Sequence, residues 1–342
     1  MDPMPAGKLI LKLRVANPAT LWGTFVLLAL LPLLIHNDYY LNILTICLIY
    51  AALASTWNLM VGYAGILSFG HQAFYGLGAY FSAIITIHSG ISPWLGLPLG
   101  GLFAALLSLA IGIPCLRLRI APYIAIATLA FSEILLVVCK NWVSLTRGEM
   151  GLSGIPPLTG FRLGDFFAVN FGGGSKVPNY YVMLGIYILA MLTMYWLMNS
   201  KVGLALKSLR EDQDAAASLG VDITRYKLIA FLISSFFAGV TGAFYAHYLS
   251  ILAPDSVFSV GEMVEVVAIT LVGGIGTFLG PTLGAFTLIV GLELLRGLED
   301  YRFMIYGAML VIVVLLLPNG LLMGFQTSVT RIKGLFQFGK TK

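Results

Sequence analysis

Charge is what this sequence has least of. Only 10% of its 342 residues are Asp, Glu, Lys or Arg, 59% are hydrophobic, and mean hydropathy is +0.92. A soluble domain carries about 25% charged residues, so this chain cannot cover a surface that faces water. An ordinary soluble enzyme or binding module is excluded, and the bilayer is left as its solvent. Cysteine is scarce too. Cys47, Cys115 and Cys139 are odd in number and lie in or at the edge of apolar runs. They form neither a disulfide framework nor a metal site and read as small core hydrophobes. The glycine-rich GGIGTFLG (273–280) lacks the lysine that would reach a phosphate. H-E-x-x-H, G-x-S-x-G and paired Cys/His spacings are also missing. The chain therefore reads as no enzyme, with no metal or cofactor of its own.

What it does have is long apolar runs. A helix needs about 20 apolar residues to cross the ~30 Å hydrocarbon layer. Candidate spans are 20–36, 40–61, 64–87, 93–114, 121–139, 180–198, 228–249, 262–279, 281–296 and 303–318. The expected fold class is all-α: a polytopic membrane protein of about ten transmembrane helices. It is one domain over 1–342, with its membrane region at 20–318. Lys8, Lys12 and Arg14 ahead of the first run imitate a secretory signal, but no small-residue cleavage site follows, so the run is expected to stay as a span.

An even number of spans puts both termini on one side. That side collects fourteen of the twenty Lys and Arg residues, including Lys201, Lys207, Arg210, Arg225 and Lys227. The other side takes Lys140, Arg147, Arg162, Lys176, Arg296 and Arg302. Cytoplasmic loops carry the excess. Both termini and the stretch 199–227 are thus expected in the cytoplasm, and the Gly- and Pro-rich connection 141–179 outside. The net charge of +5 is a topology signal, and no nucleic-acid partner is implied.

The run at 64–87 is unusual. Gly62, Gly65, Gly70, Gly76 and Gly78 crowd it, with Ser68, His71 and Gln72 between them. Small residues let membrane helices approach closely. They also weaken helix continuity, and broken helices at membrane depth line enclosed cavities. Ser68, His71 and Gln72 are candidates for a substrate pathway; the alternative is that His71 and Gln72 bond a neighbouring helix. Ionisable groups in spans are expensive and point to function. That adds Glu133, with Thr128 and Ser132 just before it. Glu293 has Arg296 at i+3 and reads as an ion pair. His247 and Glu262 flank an external connection and are expected to be hydrated.

The most polar stretch is REDQDAAASLGVDITRYK (210–227). Ser208 and Glu211 match the S-x-x-E capping box, and Gly220 suits a left-handed helix end. A helix over 209–219 is expected, with Asp222 capping the next one. Glu211, Asp212 and Asp214 make an acidic beginning, and Ala215, Ala216 and Leu219 a small apolar patch. Two readings stand: a solvated surface helix or a docking helix.

DAAASLG (214–220) resembles the E-A-A-x-x-x-G motif of bacterial ABC importer permeases, with Asp214 in place of the Glu and Gly220 at the glycine position. Three further blocks, GYAGILSFGHQAFYGLGAY (62–80), APYIAIATLAFSEIL (121–135) and LVGGIGTFLGPTLGA (271–285), resemble in order the branched-chain amino-acid permease family, its M-type subunit in particular. The resemblance covers most of 40–320. The chain departs from it at 120–123, where Ile-Ala-Pro-Tyr replaces a Gly-Asp-Tyr-Phe-like start.

The resemblance implies a type II-like importer permease with one broken span. Its stretch 199–227 would be a coupling loop whose Glu211, Asp212, Asp214, Ala215, Ala216, Leu219 and Gly220 meet an ATPase groove. Partners implied are a second, H-type permease, two cytoplasmic ATP-binding subunits holding ATP and Mg²⁺, an external (periplasmic) solute-binding protein, and the lipid of a bacterial inner membrane. Branched-chain or other small amino acids are the implied substrates; relatives that carry urea, short amides or aromatic acids are the alternative. A different class, an ion- or proton-coupled secondary transporter, would use Glu133 or His71 and need no ATPase; a passive channel would need no energy source.

Overall fold

With no water to bond exposed N–H and C=O groups, apolar runs in a membrane close their hydrogen bonds internally, as helices. A computed structural model describes residues 18–35, 37–117, 120–163, 167–169 and 176–298, with isolated positions between 304 and 321. Its helices are α1 (Pro18–Leu34), α2 (Asp38–Asn58), α3 (His71–Ser89), α4 (Pro93–Arg117), α5 (Ala121–Asn141), α6 (Val143–Thr146), α7 (Val177–Met198), α8 (Lys201–Glu211), α9 (Gln213–Ser218), α10 (Ile223–Leu249), α11 (Asp255–Phe258), α12 (Val260–Gly273) and α13 (Gly280–Leu294). Among the described residues six segments are long and apolar enough to cross a bilayer: Asp38–Tyr63, Pro93–Arg117, Pro122–Asn141, Val177–Met198, Ile223–Leu249 and Asp255–Gly273. Pro18–Leu34 and Gly280–Leu294 are shorter apolar helices. The chain is an all-α membrane protein.

The expected spans at 20–36, 40–61, 93–114, 121–139, 180–198, 228–249 and 281–296 each lie on one of these helices. The expected span 303–318 lies outside the described residues apart from isolated positions. The break expected in the glycine-crowded run is present, and one further run is corrected. The run 64–87 is not helical from its start: α2 passes into a π turn (Leu59–Tyr63), the chain is irregular over 64–70, and α3 begins only at His71. The run 262–279 likewise stops being helical after Gly273. Hydropathy continues through both breaks; the crowded glycines marked the first, while the second was read as continuous span. In the backbone, Gly65 (φ +65), Gly274 (φ +115) and Gly276 (φ +74) hold positive φ, where a Cβ is penalised.

α2 sits at the centre, buried along most of its length, while α5 lies at the periphery and leaves most of its surface uncovered. α3, α4 and α10 pack backbone to backbone. A methyl on Gly78 would collide with Gly239 O, and one on Gly100 would stand 2.7 Å from Gly78 O. This close approach is what the crowded glycines provide. Tyrosines tie the outer helices in. Tyr180 donates to Leu28 O at 2.7 Å, joining α7 to α1, and Tyr187 and Thr282 pair at 2.7 Å, joining α7 to α13.

The connection 141–179 carries short strands among its described residues. Strand β1 (Leu152–Ser153) precedes an antiparallel pair, β2 (Phe161–Leu163) with β3 (Phe167–Val169), and itself pairs antiparallel with β4 (Ile251–Leu252). Lys140 bridges to Asp255 at 2.8 Å. His247, expected to be hydrated, is 1% exposed and held between Ser82 Oγ and Pro156 O, both at 2.8 Å. Glu262, also expected to be hydrated, is half-buried and accepts the Tyr50 hydroxyl at 2.8 Å. Pro156, in the connection that pairs with β4 through β1, covers His247, and Tyr50 of α2 holds Glu262; linear order reveals neither.

Candidate functional site

A buried polar cluster forms where α2 ends and α3 begins. α2 closes on Ser55-Thr56-Trp57-Asn58, four consecutive residues with polar atoms. The break that follows must satisfy its own backbone. Ile66 N donates to Met60 O (2.8 Å), Trp57 Nε1 to Ser68 O (2.7 Å), Gly70 N to Ser68 Oγ (3.4 Å) and Phe69 N to Thr128 Oγ1 (3.0 Å). Thr128 thus brings α5 against the break, and a methyl on Gly70 would collide with Thr128 O. Ser68 and Thr128, both expected in the pathway, are brought together as braces of the broken segment.

His71 and Gln72, 1% and 3% exposed, open α3. The Thr56 hydroxyl donates back to Ala52 O at 2.9 Å and lies 3.0 Å from His71 Nε2. Which of the two atoms donates depends on the imidazole tautomer. His71 Nδ1, Gln72 Oε1, Gln72 Nε2 and Ser55 Oγ are buried and find no partner among the described residues. The reading that Gln72 bonds a neighbouring helix is therefore not met here; for His71 it is met at one nitrogen.

Glu133 stands apart. Thr128 and Ser132, i and i+4 on α5, point inward, and Ser132 donates to Phe258 O at 3.3 Å. Glu133 is one residue further round, half-buried beside Ile134, which is 60% exposed. It flanks the uncovered face of α5 and does not join the cluster. Glu293 does pair with Arg296, at 3.2 Å, and also accepts from Tyr39.

The second break is clasped to the first. Asn58 Oδ1 accepts from Gly276 N and Nδ2 donates to Thr277 O, both at 2.8 Å. Arg210, in the last turn of α8, donates to Gly62 O in the π turn. The sequence reading missed Asn58, Ser55 and Arg210. The polar run 55–58 could have flagged the first two, whereas Arg210 had been counted only as a topology charge.

The stretch 199–227 differs from the single capped helix expected over 209–219. Ser208 lies inside α8 and donates to Ala205 O at 2.8 Å, so the 208–211 capping box does not form. α8 is already capped by Ser200, and the amides near Ser208 have intrahelical partners. Asp212 (φ −154, ψ 114) breaks the helix and its carboxylate accepts from Asp214 N (2.9 Å) and Ala215 N (3.0 Å), starting α9. Gly220 takes φ +84 as expected, and Asp222 accepts from Arg225 N at 3.0 Å, capping α10. Glu211, Asp212, Asp214, Ala215 and Gly220 are exposed. Ala216 is 3% exposed and faces its own chain, while Leu219 is 86% exposed. Of the expected apolar patch, the inward half is packing and Leu219 is the free part.

An apolar hollow between α4, α7 and α10, lined by Ala105, Leu189, Leu232 and Phe236, has little to offer a polar solute. Its hydroxyl, on Thr193, is already bonded to Leu189 O. Among the described residues no group of three His, Cys, Asp or Glu could hold a metal.

Comparison with known proteins agrees with this layout. Residues 39–314 match the family described as branched-chain amino acid transport system / permease component. The chain is 36% identical over 296 residues to the high-affinity branched-chain amino acid transport system permease protein LivM of Salmonella typhimurium, covering 82% of this chain and 69% of that protein. It is 25% identical to LivH of the same organism, over 80% and 91% of the two chains. A probable LivM of Methanocaldococcus jannaschii is 22% identical, over 80% and 90%. No solved structure matches. With a family match across the breaks, the polar cluster and the α8–α9 segment alike, the chain belongs to the family of permease components of branched-chain amino acid transport systems.

Proposed function

We propose that this chain is one permease subunit of an ATP-driven importer that moves branched-chain or other small amino acids across a bacterial inner membrane. The observation that carries the reading is the set of four buried polar atoms at Ser55, His71 and Gln72 without partners among the described residues. A buried polar group left unsatisfied costs about 1–3 kcal/mol. A site built this way takes a polar guest, and at a helix break inside a membrane protein that guest is water at rest and solute in transit. Ser68, His71, Gln72 and Thr128 are its lining and braces.

Glu133 belongs to the same reading by a different route. A carboxylate at the bilayer centre costs about 2.5–3.5 kcal/mol on insertion scales, so the open face of α5 beside it needs a polar cover. A second, H-type permease across a shared pathway supplies one. The chain then has ten spans in one permease domain, both termini in the cytoplasm and 141–179 outside, where a solute-binding protein delivers substrate. Two cytoplasmic ATP-binding subunits carry ATP and Mg²⁺ and dock against α9, with Leu219 as the exposed apolar contact and Glu211, Asp212, Asp214 and Ala215 around it.

The test is uptake in proteoliposomes holding the chain with its partner permease and ATPases. Uptake should require ATP and the binding protein and persist when the membrane potential is collapsed. Uptake that follows the potential and ignores ATP identifies a secondary transporter instead. Gln72→Leu and His71→Leu should assemble normally and lower uptake; full uptake in both removes the polar cluster from the pathway.

A further inference from the structure

The α8–α9 segment touches the membrane part of the chain at one chemically specific point. α8 packs on α7, α10 and the π turn, and Arg210 donates to Gly62 O. That carbonyl is one a helix end leaves without an intrahelical partner. Of its neighbours, Leu59 O is taken by Ala64 N (3.1 Å) and Met60 O by Ile66 N (2.8 Å). The C-terminal end of a helix also carries partial negative charge, which favours a cation.

Gly62 is also where the two breaks meet. A methyl there would stand 2.7 Å from Gly276 N and 2.9 Å from its Cα. A methyl on Gly276 would stand 2.9 Å from Arg210 Nη1 and 3.2 Å from Gly62 O. A methyl on left-handed Gly65 would stand 3.5 Å from Arg210 Cα. The end of α8 therefore rests on the first break while its guanidinium reaches the seam with the second. The Asn58 clasp holds that seam from within the bundle, and Arg210 covers it from the side of α8.

The geometry of α8 makes this contact sensitive to motion. α8 starts directly after α7, with the turn at 199–200 as pivot, and Arg210 lies near its far end. At 1.5 Å per residue the lever is about 14 Å long, so a tilt of about 10° moves Arg210 by ~2 Å, enough to break a hydrogen bond. Asp212, extended between α8 and α9, joins the lever to the exposed Leu219.

We propose that Arg210 is a positioning residue for transport: it holds the cytoplasmic ends of α2 and the 274–279 turn together at rest, and displacement of α9 by an ATPase withdraws it and loosens the broken segment that leads to Gln72. This rests on the reading that α9 meets an ATPase.

The experiment uses the whole transporter in proteoliposomes and reads ATP hydrolysis and uptake side by side. Arg210→Ala should keep the ATPases bound and hydrolysis within about twofold, while uptake per ATP falls about tenfold. Arg210→Lys, which can still donate to Gly62 O, should recover most of that ratio. Unchanged uptake per ATP in Arg210→Ala overturns the proposal. So does a proportional fall in hydrolysis and uptake, which marks a structural role. Should Arg210→Ala not assemble, hydrogen exchange on the wild-type complex decides: trapping the ATP-bound state should speed exchange at 60–70 and 274–279 together, and unchanged protection at both overturns the proposal. If no ATPase co-purifies with the wild-type chain, the transporter reading fails first and takes this one with it. If the ATPase binds and the ratio holds, only the role of Arg210 is lost.

Discussion

Replacing Asn58 by alanine removes both bonds of the clasp between the two breaks. Asn58 is 2% exposed, accepts from Gly276 N and donates to Thr277 O, each at 2.8 Å. A typical net hydrogen bond contributes about 0.5–1.5 kcal/mol, and a partner left buried and unpaired costs about 1–3 kcal/mol. Gly276 is half-buried and can find water, whereas Thr277 is buried. The two losses therefore sum to about 2–4 kcal/mol. Thr241→Val is the control. Thr241 is equally buried but bonds the Phe237 carbonyl of its own helix at 2.8 Å, and valine keeps the volume. That carbonyl keeps its backbone partner, so the change should stay within about 1 kcal/mol. Reversible unfolding in mixed SDS and mild-detergent micelles measures both. Asn58→Ala within 0.5 kcal/mol of Thr241→Val, on the scale of a single net bond of about 1 kcal/mol, refutes the clasp.

Gly78→Val should abolish folded yield, since its Cβ meets the backbone of Gly239 and neither helix can give way; normal yield and melting in detergent would contradict the packing of α3 on α10. Leu219→Asp should leave yield and thermal stability unchanged, because that side chain is 86% exposed, and should cost the ATPase in co-purification; undiminished ATPase recovery removes α9 as the docking element. Ala216→Trp is a poorer probe of docking, since Ala216 already packs against its own chain. Glu133→Gln should insert at least as well as wild type, since a neutral amide is cheaper in the bilayer, and should slow uptake; wild-type uptake kinetics would leave Glu133 with no part in the pathway.

Composition and apolar runs determine on their own that the chain is a helical membrane protein, and they place α2, α4, α5, α7 and α10 to within a few residues. Twenty apolar residues in a row admit one solution in a bilayer. Local capping chemistry was legible where donor and acceptor are near in sequence, as at Gly220 and Asp222. It misled at Ser208, because a helix begun earlier, at Lys201, had already used the amides that a cap would take. The glycines announced close packing, and Ser68, His71 and Gln72 among them announced polar groups within a membrane segment. Only the tertiary structure decided which polar side chains end without partners among the described residues, that Glu133 turns away from the cluster, and that His247 is buried beneath a folded connection. The same holds for Asn58 and Arg210. Their partners, Gly276, Thr277 and Gly62, are backbone groups between 148 and 219 residues away along the chain. A backbone carbonyl or amide carries no residue identity, so no sequence pattern can name it as a partner. Its availability depends on where a helix breaks and on what the fold lays across the break.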